Sequence, residues 1–155
     1  MVRVREYKSL WEYIQSTVPG ITYLFMVDDE SELTAKISQV SDGDIILVVV
    51  YPSADSQTFD EDNFDDVDSC VIFLLQKIEQ RNIDDADLLD ERERTQNLLT
   101  SIRMAMYNLM IHHLNSTNHH IMHKLIEGKQ HIDRERNYLG CNGWSLSFAL
   151  KTTGY

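Results

Sequence analysis

The chain has few cysteines and prolines and contains no long apolar run. Its 155 residues include two cysteines and two prolines. Two cysteines do not make the disulfide framework of a small secreted domain, so we predict reduced thiols in a cytosolic protein. The longest apolar runs, Ile45–Tyr51 and Cys70–Leu75, are much shorter than the about 20 residues that a membrane-spanning helix needs. We therefore expect no membrane-spanning segment and no membrane partner.

Basic residues are also scarce. The chain has 14 lysines and arginines against 25 aspartates and glutamates, which gives a formal net charge of −11. Nucleic acids and anionic membranes bind to positive surfaces, so we expect neither as a direct partner. The N-terminus is basic, but no apolar segment or cleavage site follows, so it does not resemble a secretory signal. Hydrophobic residues make up 43% of the chain, which predicts a single domain, 1–155, with its own core.

The C-terminal segment gives the clearest structural pattern. Four large side chains alternate there with small or polar ones: Trp144, Leu146, Phe148 and Leu150. A period of two predicts a strand with one face on a core. Asp44–Tyr51 is continuously apolar and β-branched, which is typical of a central strand covered on both faces.

Other extended segments are less regular. Val67–Glu79 fits one face of a helix as well as a strand, and its many β-forming residues favour a strand beside Asp44–Tyr51. We expect further extended segments at Ile21–Val27, Ile121–Glu127 and Lys129–Asn137, and a turn at Gly140–Gly143.

Three segments have apolar residues at the three-to-four-residue spacing that predicts helices. The first is Lys8–Thr17, and the second follows Asp29, which with Glu32 forms a capping-box pattern. The third and longest runs from Asp87 to about Asn115. Together these elements predict an α+β fold, with a mostly antiparallel sheet of four to six strands. The long helix (about 87–115) and the two shorter N-terminal helices are expected to cover this sheet.

The segment Ser53–Asp68 is acidic and has no basic residue, and we predict a mobile acidic loop. Its spacing does not match a calcium-binding EF-hand loop, because Asp65 stands where that loop requires glycine. A solvated surface and a docking patch for a basic protein both remain open. The candidate partner-binding residues are Asp55, Asp60, Glu61, Asp62, Asp65, Asp66 and Asp68.

Five of the six histidines fall between positions 112 and 123. His119 and His123 have a zinc-ligand spacing if their segment is helical, which makes His119, His120 and His123 the candidate metal ligands. However, no glutamate follows His119 and no cysteine is near. We favour a polar helix end with histidines at the negative pole of its dipole, and we predict no metal and no cofactor.

No motif for catalysis accompanies these elements. The chain lacks GxSxG, a phosphate-binding P-loop and GxGxxG. Cys70 lies in an apolar run, where burial makes a thiol inert, and Cys141 is expected to be more exposed, with His131 ten residues away. Nothing ties these two residues together, so we predict no catalytic residue. The methionines of the long helix and beyond are expected to fill the core: Met104, Met106, Met110 and Met122.

The order of these elements resembles that of small tail proteins of phages and prophages, in particular tail terminator and tail-completion proteins. The resemblance lies in an opening helix, the central strands DIILVVVYP and CVIFLLQK, the long helix DLLDERERTQNLLTSIRMAMYNLM and the closing strand GCNGWSLSFAL. It implies a non-enzymatic structural protein without catalytic residues. It also implies a ring of identical subunits that caps a tail tube and meets neighbouring tail or neck proteins, in the bacterial cytoplasm or the virion.

Two other classes of function remain open. The chain also fits an acidic binding module, such as an immunity protein or inhibitor, that engages a basic partner through residues 53–68. A metal protein that uses the histidine cluster is the third alternative. The oligomeric state separates the first two, since a ring is expected for one and a monomer for the other.

Overall fold

The computed structural model describes residues 1–60, 63–78, 84–111 and 125–153. Their elements, in chain order, are α1 (Val4–Thr17), β1 (Tyr23–Val27), α2 (Glu30–Ile37), β2 (Ile45–Val50), β3 (Ser53–Asp60), β4 (Asn63–Lys77), α3 (Asp85–Ile111), β5 (His131–Tyr138) and β6 (Cys141–Thr153). The fold is therefore α+β.

Within the described ranges, six strands form one sheet with the order β1-β2-β4-β6-β5. The β1–β2 pair is parallel and all other pairs are antiparallel, so the prediction of a mostly antiparallel sheet is confirmed. β3 lies off this path and pairs with the first part of β4, whose second part pairs with β2. β6 accompanies β4 along nearly its whole length. β4 has 15 residues and, at about 3.3 Å per residue, is roughly 50 Å long.

The two faces of the sheet carry separate apolar clusters. In β2, Ile45, Leu47 and Val49 belong to the larger cluster, whereas Ile46 and Val48 belong to the smaller one. Successive side chains of a strand point to opposite faces, so a continuously apolar strand requires cover on both sides. The structure confirms the central, doubly covered strand that the sequence predicts here.

Helices α1 and α3 pack on one face of the sheet. Their buried residues join the larger cluster, with Leu10, Trp11 and Ile14 from α1 and Ile102 and Met106 from α3. On the other face, α2 contributes Leu33 and Ile37 to the smaller cluster. The Asp29 side chain accepts a hydrogen bond from the Glu32 N–H at 2.8 Å, which confirms the predicted cap of α2. The described part of α3 ends at Ile111, and residues 112–115 of the predicted helix lie outside the described residues.

The acidic segment 53–68 is not the loop that its composition predicts. Its described residues, 53–60 and 63–68, form β3 and the first part of β4, and we call these two antiparallel strands, paired from Ser53↔Ser69 to Asp60↔Asn63, the acidic hairpin. The sequence SADSQTFD has little intrinsic strand preference, but β4 offers it a continuous row of backbone donors and acceptors. Tertiary pairing of this kind overrides local propensity in strands.

Three smaller predictions at the C-terminal end were wrong. Residues 125–127 form no strand, because Leu125 makes an isolated bridge to Leu150 and a turn follows; residues 121–124 lie outside the described residues. The turn before the last strand lies at Leu139–Gly140, where both residues have positive φ angles, so Cys141 already belongs to β6. Cys141 is 1% exposed instead of accessible.

The methionine prediction also changes. Met106 is buried, but Met104 is 60% exposed on the outer side of α3, and Met122 lies outside the described residues. Trp144 packs against the larger cluster as expected, and its indole N–H donates a hydrogen bond to Thr95 Oγ1 at 3.2 Å. This bond links α3 directly to β6.

Candidate functional site

The base of the acidic hairpin holds a buried polar cluster. Asp68 is fully buried, and its Oδ1 accepts a hydrogen bond from the Val2 N–H at 3.1 Å. Its Oδ2 accepts one from Thr152 Oγ1 at 2.8 Å. The Met1 ammonium donates to Asp66 Oδ2 at 2.6 Å and to Thr152 Oγ1 at 2.7 Å, and lies 3.9 Å from Asp68 Oδ2. Two carboxylates and one ammonium thus join the start of the chain to β4 and β6.

Sequence reasoning missed the role of these two carboxylates. Asp66 and Asp68 are in phase with Cys70, Ile72 and Leu74, which lie on the face of β4 that α1 and α3 cover. This alternation could have indicated their burial. If the strand is extended back toward residue 63, its even-numbered residues lie on the same buried face as Cys70. The structure therefore gives Asp66 and Asp68 internal contacts. Partner binding stays a prediction for Asp55, Asp60, Glu61, Asp62 and Asp65.

One outer strand of the sheet, β1, has no charged residue and borders a polar cleft. The cleft has a volume of about 520 Å³, and its lining includes Lys8, Glu12, Tyr23 and Lys36. The Tyr23 and Phe25 rings stack with their centroids 5.6 Å apart, and Tyr23 is 38% exposed. The Lys36 ammonium donates to the Met26 carbonyl at 3.3 Å, pairs with Glu32 at 3.3 Å and lies 5.8 Å from the centroid of the Phe25 ring.

The opposite outer strand, β5, is strongly charged. His131, Asp133, Arg134 and Arg136 are exposed, and His131 Nε2 lies 3.1 Å from Asp133 Oδ2. Glu135 turns back and accepts a hydrogen bond from the Ser145 hydroxyl at 2.8 Å. Charged residues on an outer strand discourage unspecific pairing with other strands. β1 and β5, the two ends of the strand order, therefore differ in chemistry.

Neither cysteine is placed as a nucleophile. Burial raises the pKa of the Cys70 thiol to about 12 and that of the Cys141 thiol to about 11. A thiol reacts as its thiolate, and at pH 8 a pKa of about 12 leaves roughly one thiolate in ten thousand. His131 is exposed at the start of β5, whereas Cys141 is buried in the smaller cluster. The structure thus confirms the burial of Cys70 that the sequence predicts.

We expect both thiols to be protected from alkylation in the folded protein and to react quickly in urea. At pH 8, iodoacetamide labelling followed by mass spectrometry should be slower by about a hundredfold or more than in the unfolded chain. The unfolded thiols ionise near pH 8.5 to 9, below the raised pKa values of the folded state, so the unfolded chain binds fewer protons above that pH.

Stability should therefore fall as the pH rises through about 9 to 11. A variant with both cysteines replaced by alanine should lose part of this alkaline dependence. Fast labelling of the native protein at pH 8 would contradict the burial of both thiols.

The predicted histidine site cannot be placed in this geometry. His119, His120 and His123 lie outside the described residues. Within the part of the chain that the structure describes, no three histidine, cysteine or acidic side chains come together as metal ligands. No helix among the described residues is long and apolar enough to cross a membrane.

No protein-family model matches the chain, and no curated protein matches it.

Proposed function

We propose that the protein is a non-enzymatic assembly subunit that forms a ring of identical copies, as a tail terminator or neck-like protein of a phage or prophage would. Under this proposal it acts in the cytoplasm of a bacterial host and in the virion. Its partners are further copies of itself and neighbouring tail and neck proteins. Nucleic acid, membranes and cofactors take no direct part.

The difference between β1 and β5, the strands at the two ends of the sheet order, carries the proposal. A ring requires two different patches on each subunit, because each copy contacts its neighbours head to tail. β1 offers the uncharged sequence YLFMV beside a cleft that contains Lys8 and Lys36, and β5 offers the charged sequence HIDRERNY. The raised pKa values of both cysteines support a role without nucleophilic catalysis.

A second candidate, an acidic protein-binding module, is favoured by the hairpin. β3 and the start of β4 carry much of the negative charge of a chain whose formal net charge is −11. An acidic hairpin of this kind would steer a basic partner toward the protein and raise the association rate at low salt. In this alternative the protein works as a monomer.

Size-exclusion chromatography with light scattering tests the proposal. We expect a mass that is a whole multiple of 18.1 kDa and that stays constant over a wide concentration range, as for a closed ring. Tyr23→Lys places a charge on the β1 edge and should shift the protein toward the monomer. Met104→Lys alters an exposed apolar residue of α3 instead, and should leave the mass unchanged.

A monomer at every concentration would contradict the ring and favour the acidic module. If Tyr23→Lys and Met104→Lys dissociated the oligomer to the same extent, the assignment of the β1 edge as a contact between subunits would be contradicted. Circular dichroism of both variants should match that of the parent protein, since both positions are exposed.

A further inference from the structure

A small cavity lies between the start of α3 and the sheet. Its volume is about 10 Å³, and most of its lining surface is apolar; the polar residues that line it are Gln76 of β4, Asn142 of β6 and Glu91, Arg92 and Thr95 of α3. A cavity needs at least about 10–15 Å³ to hold one water molecule, so this one is at the lower limit for a single water.

Two oxygen atoms of this lining are buried and have no hydrogen-bond partner among the described residues: Gln76 Oε1 and Glu91 Oε2. Gln76 is 2% exposed, and its amide N–H already donates to the Gly43 carbonyl at 3.4 Å. An unsatisfied buried polar atom costs about 1–3 kcal/mol, so native proteins rarely leave two of them at one place.

Two other side-chain oxygens of the lining residues already have hydrogen-bond partners. Thr95 Oγ1 accepts from the Trp144 indole and lies 3.1 Å from the Glu91 carbonyl, to which it donates. Asn142 Oδ1 accepts from the Asn137 N–H at 2.7 Å. Gln76 and Glu91, which line the same small cavity, therefore each carry one buried acceptor without a partner among the described residues. What they lack is a donor.

We propose that this cavity binds one water molecule, which donates its two hydrogens to Gln76 Oε1 and Glu91 Oε2. Water is the one-atom ligand that supplies two donors. Arg92 and Asn142 also line the cavity, and they carry N–H groups of the kind that a water oxygen accepts. The bound water then connects α3 to β4, next to the direct bond between Thr95 and Trp144.

Metal cations fit this lining less well. Calcium takes about six to eight oxygen ligands, and magnesium demands a nearly octahedral set. Gln76 and Glu91 supply two oxygens without a partner among the described residues, and the cation Arg92 is also a lining residue. Burial raises the pKa of Glu91, so its partial protonation at low pH would weaken cation binding further.

A high-resolution crystal structure from buffers without sodium or ammonium tests the proposal. We expect ordered solvent density within hydrogen-bonding distance of both oxygens. In solution, the side-chain amide of Gln76 should show a nuclear Overhauser effect to a long-lived water. Absence of that density, or a direct bond between Glu91 and Gln76, would overturn the assignment.

Two further measurements test whether the bound species is water or a cation, and whether the effect of Gln76→Met is specific to the cavity. Replacing sodium by ammonium or potassium chloride at equal ionic strength should leave the Tm unchanged, whereas a rise with one cation would show that the site binds that ion. Gln76→Met removes one acceptor, and should abolish the density and lower the Tm by about 2–4 °C. Gln96→Met, on the exposed side of α3, should change neither.

Discussion

Gly143→Ala is expected to lower the free energy of unfolding by about 3 kcal/mol. A Cβ at position 143 would overlap the carbonyl oxygen of Leu74 and lie 2.9 Å from its carbonyl carbon and 3.0 Å from Leu75 Cα. These atoms belong to the backbone of β4, which is paired with β6 at Leu75↔Gly143 and is flanked by β2 on its other side. The strand has no free direction in which to move, so a methyl group must separate the two strands locally.

Urea unfolding, followed by tryptophan fluorescence, measures this loss. Gly140→Asn is the matched control in the neighbouring turn. Gly140 has a φ angle of 77° and open space around a built Cβ, and asparagine tolerates this left-handed region. We expect the control to lose about 1 kcal/mol or less. Equal stability of Gly143→Ala and the parent protein would show that β6 does not approach β4 in this register.

Elements with a strong local pattern could be predicted from the sequence. The alternation that ends at Leu150, the apolar run of β2 and the cap at Asp29 are each written in a few neighbouring residues, and each is present in the structure. Local periodicity suffices there because the buried face repeats at the period of the element itself.

The acidic hairpin could not be predicted in the same way. β3 is a strand because β4 lies beside it, and that contact is absent from any local window of the sequence. Its charge alone predicts a solvent-exposed surface, and on that basis Asp66 and Asp68 do not differ from the other acidic residues of the segment. Asp66 and Asp68 differ from the other acidic residues because they lie opposite Thr152 and Leu150 of β6. The first two residues of the chain also bind their carboxylates. Burial of a carboxylate is decided by its distant partners.

The water-sized cavity depends even more on distant contacts. Gln76 lies near the end of β4 and Glu91 lies near the start of α3. Neither belongs to a sequence motif that would single it out. Only the packing of α3 against the end of β4 brings these two residues, each with an unsatisfied buried oxygen, to the lining of one cavity. The same packing sets the bond between Trp144 and Thr95, so the cavity belongs to the interface that fixes the direction of the long helix.

Asp68→Asn should lower the free energy of unfolding by about 2–4 kcal/mol. Every described group that contacts the Asp68 carboxylate is a donor or a cation: the Val2 N–H, the Thr152 hydroxyl and the Met1 ammonium. The asparagine side chain presents an NH₂ group to one of these donors and removes the charge that faces the ammonium. Because Asp68 is fully buried, water does not replace the lost acceptor.

The control for charge alone is Asp42→Asn, in an exposed turn, for which a change within about 0.5 kcal/mol is expected. Thr152→Val removes the hydroxyl that donates to Asp68. This hydroxyl also accepts from the Met1 ammonium, so the two residues share their partners. The variant with both substitutions should therefore lose about 1 kcal/mol less free energy of unfolding than the sum of the two single losses. Additive losses would mean that the two residues stabilise the hairpin base independently. A stable Asp68→Asn protein would show that the carboxylate is not the acceptor that joins the start of the chain to β4.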